Sequence, residues 1–460
     1  MKKLKVLTAF DQKPMAELNY NTEEEAFAKI ERAHEVFLDR PNWPKPFNRV
    51  SILEKALELI KERKEDLILD AAKEGGKPYL DSKVEIERGI EGIKIALKEL
   101  AHMHGTEVPM NLTPSSDGRR AWTRKEPRGV ALGISAFNHP FNLIIHQVIP
   151  AIAVGCPVII KPASSTPVSC KNLVEILYEA GLDKAWCQMV ICTNEVAEKM
   201  VSHPKVTFLS FIGSATVGWR LRSKLAPGAT CVLEHGGVAP VIVDKTANLE
   251  TTIPSLLKGG FYHAGQVCVS VQRIFIHEDV EKEFIRNFVE GVKKLKVGDP
   301  TSETTEVGPL ISTKDVDRVD QWVKEAVDDD GEILCGGNKI SDTCFEPTVI
   351  YNPSIHSTVS TSEVFGPVVC IYPYNDIKDA VERANSVDFA FQGSIFTNDL
   401  SIAEYVTKYM EGLTIMVNDH SAFRVDWMPF GGYKKSGLGV GGIGHTMNDM
   451  TLEKMTVIKF

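Results

Sequence analysis

The chain lacks a long apolar run free of polar residues. Its most apolar stretch, Asn142–Ile160, contains His146, Gln147 and two prolines, so it reads as a buried helix followed by a strand and not as a membrane span. It also lacks an excess of positive charge. With 52 Lys and Arg against 61 Asp and Glu, the net charge is −9, which argues against a nucleic-acid partner and favours solubility. There is no Cys-x-x-Cys pair among the nine cysteines. That odd count without metal-ligand spacing points away from a disulfide scaffold or zinc site and towards free thiols in a reducing, cytoplasmic setting. Met1–Phe10 carries basic residues but too short an apolar run for a signal peptide. Internal repeats and low-complexity tracts are missing as well.

What is present is ordinary for globular chains: 43% hydrophobic and 25% charged residues over 460 positions. That length exceeds one ordinary core, so at least two domains are expected. Thr22-Glu-Glu-Glu25 forms a capping box, followed by Ala26, Ile30, Ala33 and Phe37 at helical spacing. A second amphipathic helix is expected over about Ser51–Ala72, and a third from near Ser82 with Ile90, Ile93 and Leu97. From Val130 onwards, short apolar runs alternate with helical segments: Val130–Ala136, Val158–Ile160, Met189–Cys192, Val206–Leu209, Thr230–Leu233 and Val241–Val243. A further series follows Arg273. This alternation predicts two α/β halves with parallel sheets, joined near Glu234–Lys258. Asn111–Lys125 reads as an irregular polar loop and Met455–Phe460 as a short strand.

Several side chains carry chemistry. Cys268, in Gly265-Gln-Val-Cys268, is a candidate nucleophile, and Glu234, in Glu234-His-Gly-Gly237, a candidate base. Each alone also fits a structural role, as a core thiol or a strand-end ion pair. Gly213-Ser-Ala-Thr-Val-Gly218 follows a strand and opens a helix, whose free N–H groups suit a phosphate. This run differs from the common Gly-x-Gly-x-x-Gly fingerprint.

Eight motifs in order give these residues weight: Glu126-Pro-Arg-Gly129, Phe137-Asn138, Lys161-Pro162-Ala163, Phe211-Ile-Gly213-Ser214, Glu234-His-Gly-Gly237, Gly265-Gln-Val-Cys268, Glu363-Val-Phe365-Gly-Pro367 and Pro429-Phe-Gly-Gly-Tyr433. Through them the chain resembles the aldehyde dehydrogenase superfamily. The resemblance implies an α/β fold with two doubly wound domains and a small β oligomerisation arm. Residues 1–110 and 127–233 would bind the dinucleotide, 234–443 would form the catalytic domain, and 111–126 with 444–460 the arm of a homodimer or homotetramer. It implies Cys268, Glu234 and Asn138 as nucleophile, base and oxyanion donor. It implies NAD or NADP held by Phe137, Lys161, Ser164, Gly213, Ser214, Glu363 and Phe365. Relatives selective for NAD often carry Glu where Ser164 stands, so this chain tolerates NADP. His235 is a departure, since this position is commonly Leu.

Asn138-His139-Pro140-Phe141-Asn142 and the segment Asn418–Met428 resemble the lactaldehyde and phosphonoacetaldehyde dehydrogenase branches. Arg424, with His139 and Arg88, is the candidate set for the polar end of a short aldehyde such as lactaldehyde or glycolaldehyde. Arg424 in a loop or subunit salt bridge is the competing role. Alternatives are a small anionic aldehyde (glyceraldehyde 3-phosphate or a sulfo-aldehyde), a CoA-acylating enzyme, and a catalytically silent member. Glu234 argues against acylation of CoA, because that branch typically lacks a carboxylate there. Val267, where the phosphonate-using branch has Arg, argues against a doubly charged substrate.

Overall fold

The computed structural model describes residues 2–460. Two sheets dominate it. The first has six strands in the order Gly437–Leu438, Thr230–Glu234, Val206–Ile212, Val130–Ile134, Val158–Lys161 and Cys187–Met189. All pair in parallel except Gly437–Leu438, which runs antiparallel to Thr230–Glu234. Its central strands are mostly apolar because both faces are covered. Val158 and Ile160 pack into the core around helix Asn142–Val154, while Ile159 between them joins Ile30, Val201 and Leu221 on the other face. Every residue of Asn142–Val154 is buried, as its apolar sequence requires. The second sheet has seven strands: Glu332–Cys335, Thr348–Tyr351, Val368–Tyr374, Arg273–His277, Pro240–Val243, Gln392–Phe396 and Thr414–Val417. Only Glu332–Cys335, at the edge, is antiparallel. No helix among the described residues is long and apolar enough to cross a membrane.

Local signals translate directly at several places. Both reciprocal bonds of the capping box form, with Glu25 N–H donating to Thr22 Oγ1 at 3.2 Å and Thr22 N–H to Glu25 Oε2 at 2.9 Å. The single helix expected over Ser51–Ala72 is two, Pro46–Glu62 and Lys64–Gly75, broken at Arg63. The guanidinium of Arg63 donates to both carboxylate oxygens of Glu179, which anchors the bend. The loop expected over Asn111–Lys125 contains most of a nine-residue strand, Arg119–Pro127. Its partner, Thr451–Lys459, lies more than 300 residues away, so pairing and not local pattern makes it a strand. With Glu107–Val108 these form a separate three-stranded sheet. Helix Ile443–Asp449 turns back onto helices Tyr79–Glu99 and Asn142–Val154.

Arg273 starts a central strand of the second sheet and is fully buried. No carboxylate meets it. Its guanidinium donates to the carbonyls of Val238 (3.2 Å), Arg383 (3.2 Å) and Ala384 (2.8 Å). The last two end helix Ile377–Ala384, where the dipole favours a cation. This tethers the segment after Glu234 to the second sheet. Arg273→Met fills similar volume but strands three buried carbonyls, and we expect a loss of about 3 kcal/mol. A lower urea midpoint with unchanged slope is the readout, and an unchanged midpoint contradicts the tether.

Candidate active site

The parallel strands of the first sheet end at a common level, where α/β sheets place their ligand sites. Ser135–Asn138, Lys161–Ser164, Gly213–Ser214 and Glu234–Gly236 follow four of those strands and line a cavity of about 480 Å³. The second half contributes Cys268, Glu363, Phe365 and Arg424 to the same cavity, and Arg88 reaches it from helix Tyr79–Glu99. All thirteen residues singled out from the sequence line this one space: Arg88, Phe137, Asn138, His139, Lys161, Ser164, Gly213, Ser214, Glu234, Cys268, Glu363, Phe365 and Arg424.

Cys268 is carried by an unusual piece of backbone. His263, Ala264 and Gly265 are consecutive left-handed residues, with φ of 51°, 53° and 70°. Such conformations cost energy for residues with a Cβ and persist only where packing enforces them. Here a Cβ on Gly265 would lie 2.1 Å from the Gly366 carbonyl oxygen, so the loop bearing Cys268 is pressed against the loop bearing Glu363 and Phe365. Gln266 locks the turn. Its amide donates to His263 O (3.2 Å) and Pro309 O (3.1 Å), and its oxygen accepts Ile311 N–H (2.9 Å).

The groups of the cavity are dehydrated and only partly paired. Burial pushes the Cys268 thiol well above its ordinary pKa, the Glu234 and Glu363 carboxylates push it further, and Arg424 opposes them. Burial likewise raises Glu234, against the pull of Arg424, whose Nη1 lies 3.8 Å from Glu234 Oε1. That separation is an ion pair without a hydrogen bond. The Nε of Arg424 has no partner, and its guanidinium stacks 3.5 Å from the Phe430 ring centre. Arg88, by contrast, is held in a bidentate pair with Asp426 through Nε and Nη2, at 3.0 and 2.7 Å. Burial alone would raise the Asp426 carboxyl, but His146 (2.7 Å) and Arg88 hold it well below the usual range, and Asn142 also donates to it at 3.2 Å. Asn138 is buried and lines the cavity, and no side-chain hydrogen bond engages its amide.

The far end of the cavity fits a dinucleotide. Lys161 is buried with one long contact, 3.5 Å to the Pro162 carbonyl. Glu363 is half-buried with Oε1 enclosed and unpartnered, and desolvation pushes its carboxyl up to about 8. A Cβ on Gly236 would fall 1.7 Å from that same oxygen, so the glycine leaves the carboxylate its place. Two under-satisfied polar groups, a cation and a carboxyl, match two pairs of ribose hydroxyls. Between them Ser214 caps helix Ala215–Arg222 with its side chain unbonded, leaving the first amides open. The rings of Phe137 and Phe365 meet edge to face at 5.6 Å. His235 lies between Phe211 and Trp219, with Nδ1 donating to Lys435 O at 2.8 Å.

Sequence reasoning missed Asp426, His146 and Tyr262. Tyr262 lines the cavity, and Asp426 orders Arg88 from 338 residues away. No local spacing carries such a pairing.

With the geometry described, comparison with known proteins adds identity. Residues 1–456 match the Aldehyde dehydrogenase family. The chain is 37% identical over 457 residues to a 3-sulfolactaldehyde dehydrogenase of Priestia aryabhattai, covering 99% of this chain and 95% of the relative. It is 35% identical to a lactaldehyde dehydrogenase of Methanocaldococcus jannaschii, covering 97% and 94%. Its fold superposes, with a TM-score of 0.94, on the crystal structure of the glyceraldehyde-3-phosphate dehydrogenase GapN from Methanocaldococcus jannaschii complexed with NADP. The two share 34% identity and each is covered to 99%.

The electrostatics of the thiol give a direct expectation. In the ligand-free protein, alkylation of Cys268 by iodoacetamide will show a pH midpoint above the ordinary cysteine value of about 8.5. Glu234→Gln removes a neighbouring negative charge and will move that midpoint down. A midpoint that does not move means Glu234 exerts no field on the thiol.

Proposed function

The chain belongs to the aldehyde dehydrogenase family and is NAD(P)-dependent, and from that premise we propose that it oxidises a short polar aldehyde, of lactaldehyde or glycolaldehyde type, to the free acid. The observation that carries the reading is the meeting of Cys268, Glu234 and Asn138 in one cavity with Arg424 beside them.

Cys268 loses its thiol proton to solvent and attacks the aldehyde carbon, and the carbonyl oxygen becomes the oxyanion of a thiohemiacetal. The Asn138 amide and the Cys268 backbone N–H are the donors for that oxygen. When bound, the oxidised nicotinamide supplies a hydride acceptor and a positive charge near a thiol that is otherwise held protonated. The oxidised adduct is a thioester on Cys268. Glu234, kept basic by burial, takes a proton from water, which adds to the thioester. The carboxylic acid leaves and the thiol is restored. Lys161 and Ser164 serve the adenosine ribose, Gly213 and Ser214 the pyrophosphate, and Glu363, Phe365 and Phe137 the nicotinamide ribose and ring.

Arg424, Arg88 and His139 form the polar end of the substrate pocket. A second reading is a small anionic aldehyde (glyceraldehyde 3-phosphate or a sulfo-aldehyde), favoured by the incomplete pairing of Arg424 at 3.8 Å from Glu234. Names of relatives support both: lactaldehyde in one case, 3-sulfolactaldehyde in another.

Residues 1–110 with 127–233 form the dinucleotide domain in this reading and 234–443 the catalytic one. The three-stranded sheet exposes Trp122, Leu452 and Ile458 on one face and Met455 and Val457 on the other, apolar side chains suited to a second copy. Segments 111–126 and 444–460 are thus the arm of a cytoplasmic homodimer or homotetramer.

Nicotinamide reduction with lactaldehyde, glycolaldehyde, propionaldehyde and glyceraldehyde 3-phosphate, each with NAD and NADP, tests substrate and cofactor together. Cys268→Ala will lose turnover, and Asn138→Ala will lower kcat roughly 100- to 1,000-fold. Glu234→Gln will give one rapid turnover followed by slow release of acid. Ordinary turnover by Cys268→Ala sinks the mechanism, and rates that require CoA establish the acylating alternative.

A further inference from the structure

A buried polar cluster stands behind the cavity. Lys77 sits in the turn between helices Lys64–Gly75 and Tyr79–Glu99, and Glu85 in the second of these. They form an ion pair with each side chain 1% exposed. Glu85 is held from the other side as well. Its Oε1 accepts the N–H groups of Phe141 (2.8 Å) and Asn142 (3.0 Å), at the start of helix Asn142–Val154.

Lys77 has a second contact. Its Nζ lies 2.6 Å from Nδ1 of His139. Burial lowers the pKa of Lys77, and the paired Glu85 carboxylate opposes that. As the ammonium of this ion pair, Lys77 offers three donors and no acceptor, so Nδ1 is the acceptor. A neutral imidazole that accepts at Nδ1 carries its proton on Nε2. His139 lines the cavity with its side chain 13% exposed, and the described residues provide Nε2 with no partner. Burial and the neighbouring Lys77 push the ring's pKa well below the ordinary value.

We propose that Lys77, clamped by Glu85, is a positioning residue that holds His139 as a neutral ring presenting a fixed Nε2–H donor to an oxygen acceptor on the substrate. This rests on the reading that His139 lies at the substrate end of the cavity.

The surroundings of the ring give the lysine its effect. Lys77 faces it from the turn, Arg88 from helix Tyr79–Glu99, Arg424 from the distant loop, and His263 at 6.4 Å between rings. Glu85, with Oε2 at 3.9 Å from Nδ1, is the carboxylate beside it. With Lys77 in place, the carboxylate is occupied. Without Lys77, Glu85 attracts a proton to Nδ1. A neutral ring then turns a lone pair at Nε2 towards the substrate, and only the protonated ring regains the donor.

The test uses the full-length enzyme at saturating NADP and follows the ratio of kcat/KM for lactaldehyde to that for propionaldehyde, in which effects on Cys268 common to both substrates cancel. The parent ratio stays flat between about pH 6 and pH 9, across the ordinary histidine range. In Lys77→Met the ratio falls about tenfold at the alkaline end and recovers as pH drops through about 6.5. A purely structural lysine produces no such recovery. His139→Leu lowers the ratio about tenfold at every pH.

If His139→Leu leaves the ratio at the parent value, the placement of His139 at the substrate is wrong. If it lowers the ratio while Lys77→Met matches the parent, the positioning role of Lys77 is overturned. Should Lys77→Met not fold, or lactaldehyde not turn over, nitrogen NMR of 15N-histidine-labelled parent enzyme decides. One ring with an accepting Nδ1 and a protonated Nε2, constant over that pH range and absent from His139→Leu, supports the proposal. A His139 ring that carries a proton on Nδ1 ends it.

Discussion

Charge buried without full compensation organises this site. Cys268, Glu234, Glu363, Lys161 and Arg424 all line a cavity of about 480 Å³. In each case burial disfavours the charged form. A buried ionisable group is tolerable when neighbours complete its hydrogen bonds and costly when they do not. Here completion is withheld at chosen atoms. Glu363 Oε1 and Arg424 Nε have no partners, and Lys161 has one contact at the limit of a hydrogen bond. A ligand that fills those places recovers energy the fold left open, which is a physical basis for affinity in a mostly preformed site.

Buried charges outside that set, with their hydrogen bonds made, behave differently. Arg273 spends its donors on three carbonyls. Asp426 accepts from Arg88, His146 and Asn142, and Glu85 accepts from two backbone amides as well as Lys77. These groups hold parts of the chain together and orient their neighbours. The distinction between open and closed hydrogen-bond sets thus separates residues suited to ligands from residues that place them, without reference to sequence.

Much of this was legible in the chain. Strand–helix alternation after Val130 announced the parallel sheets, because strands covered on both faces must be continuously apolar. Most of the thirteen residues that converge on the cavity came from short motifs whose order resembles a known family, while Arg88 stood in none of them. What stayed hidden depends on distant pairing. Arg119–Pro127 is a strand because Thr451–Lys459 lies beside it, and its own polar sequence gives little sign of that. Lys77 and Glu85, in a turn and a helix, carry no local signal of their own. Only the approach of His139, 62 residues further on, makes them a unit. Asp426 is the same case at a longer range.

The two halves of the chain cannot be separated without dismantling the chemistry. Glu234 closes the last parallel strand of the first sheet, and Gly437 pairs with it from near the far end of the chain. Cys268 rides on a left-handed turn pressed against Gly366, a contact made entirely within the second half. The proposed base therefore ends a strand of the first sheet, the nucleophile sits in the turn before strand Arg273–His277 of the second, and Arg424, beside both, belongs to a third stretch of chain. Small shifts between the sheets change the distance across which Cys268 and Glu234 act on a common carbon. Arg273, by tying the segment after Glu234 to the second sheet, limits that shift. A buried arginine far from any ligand is then tolerated for the same reason as the strained turn: each fixes a separation that the reaction needs and that hydrophobic packing alone leaves less sharply defined.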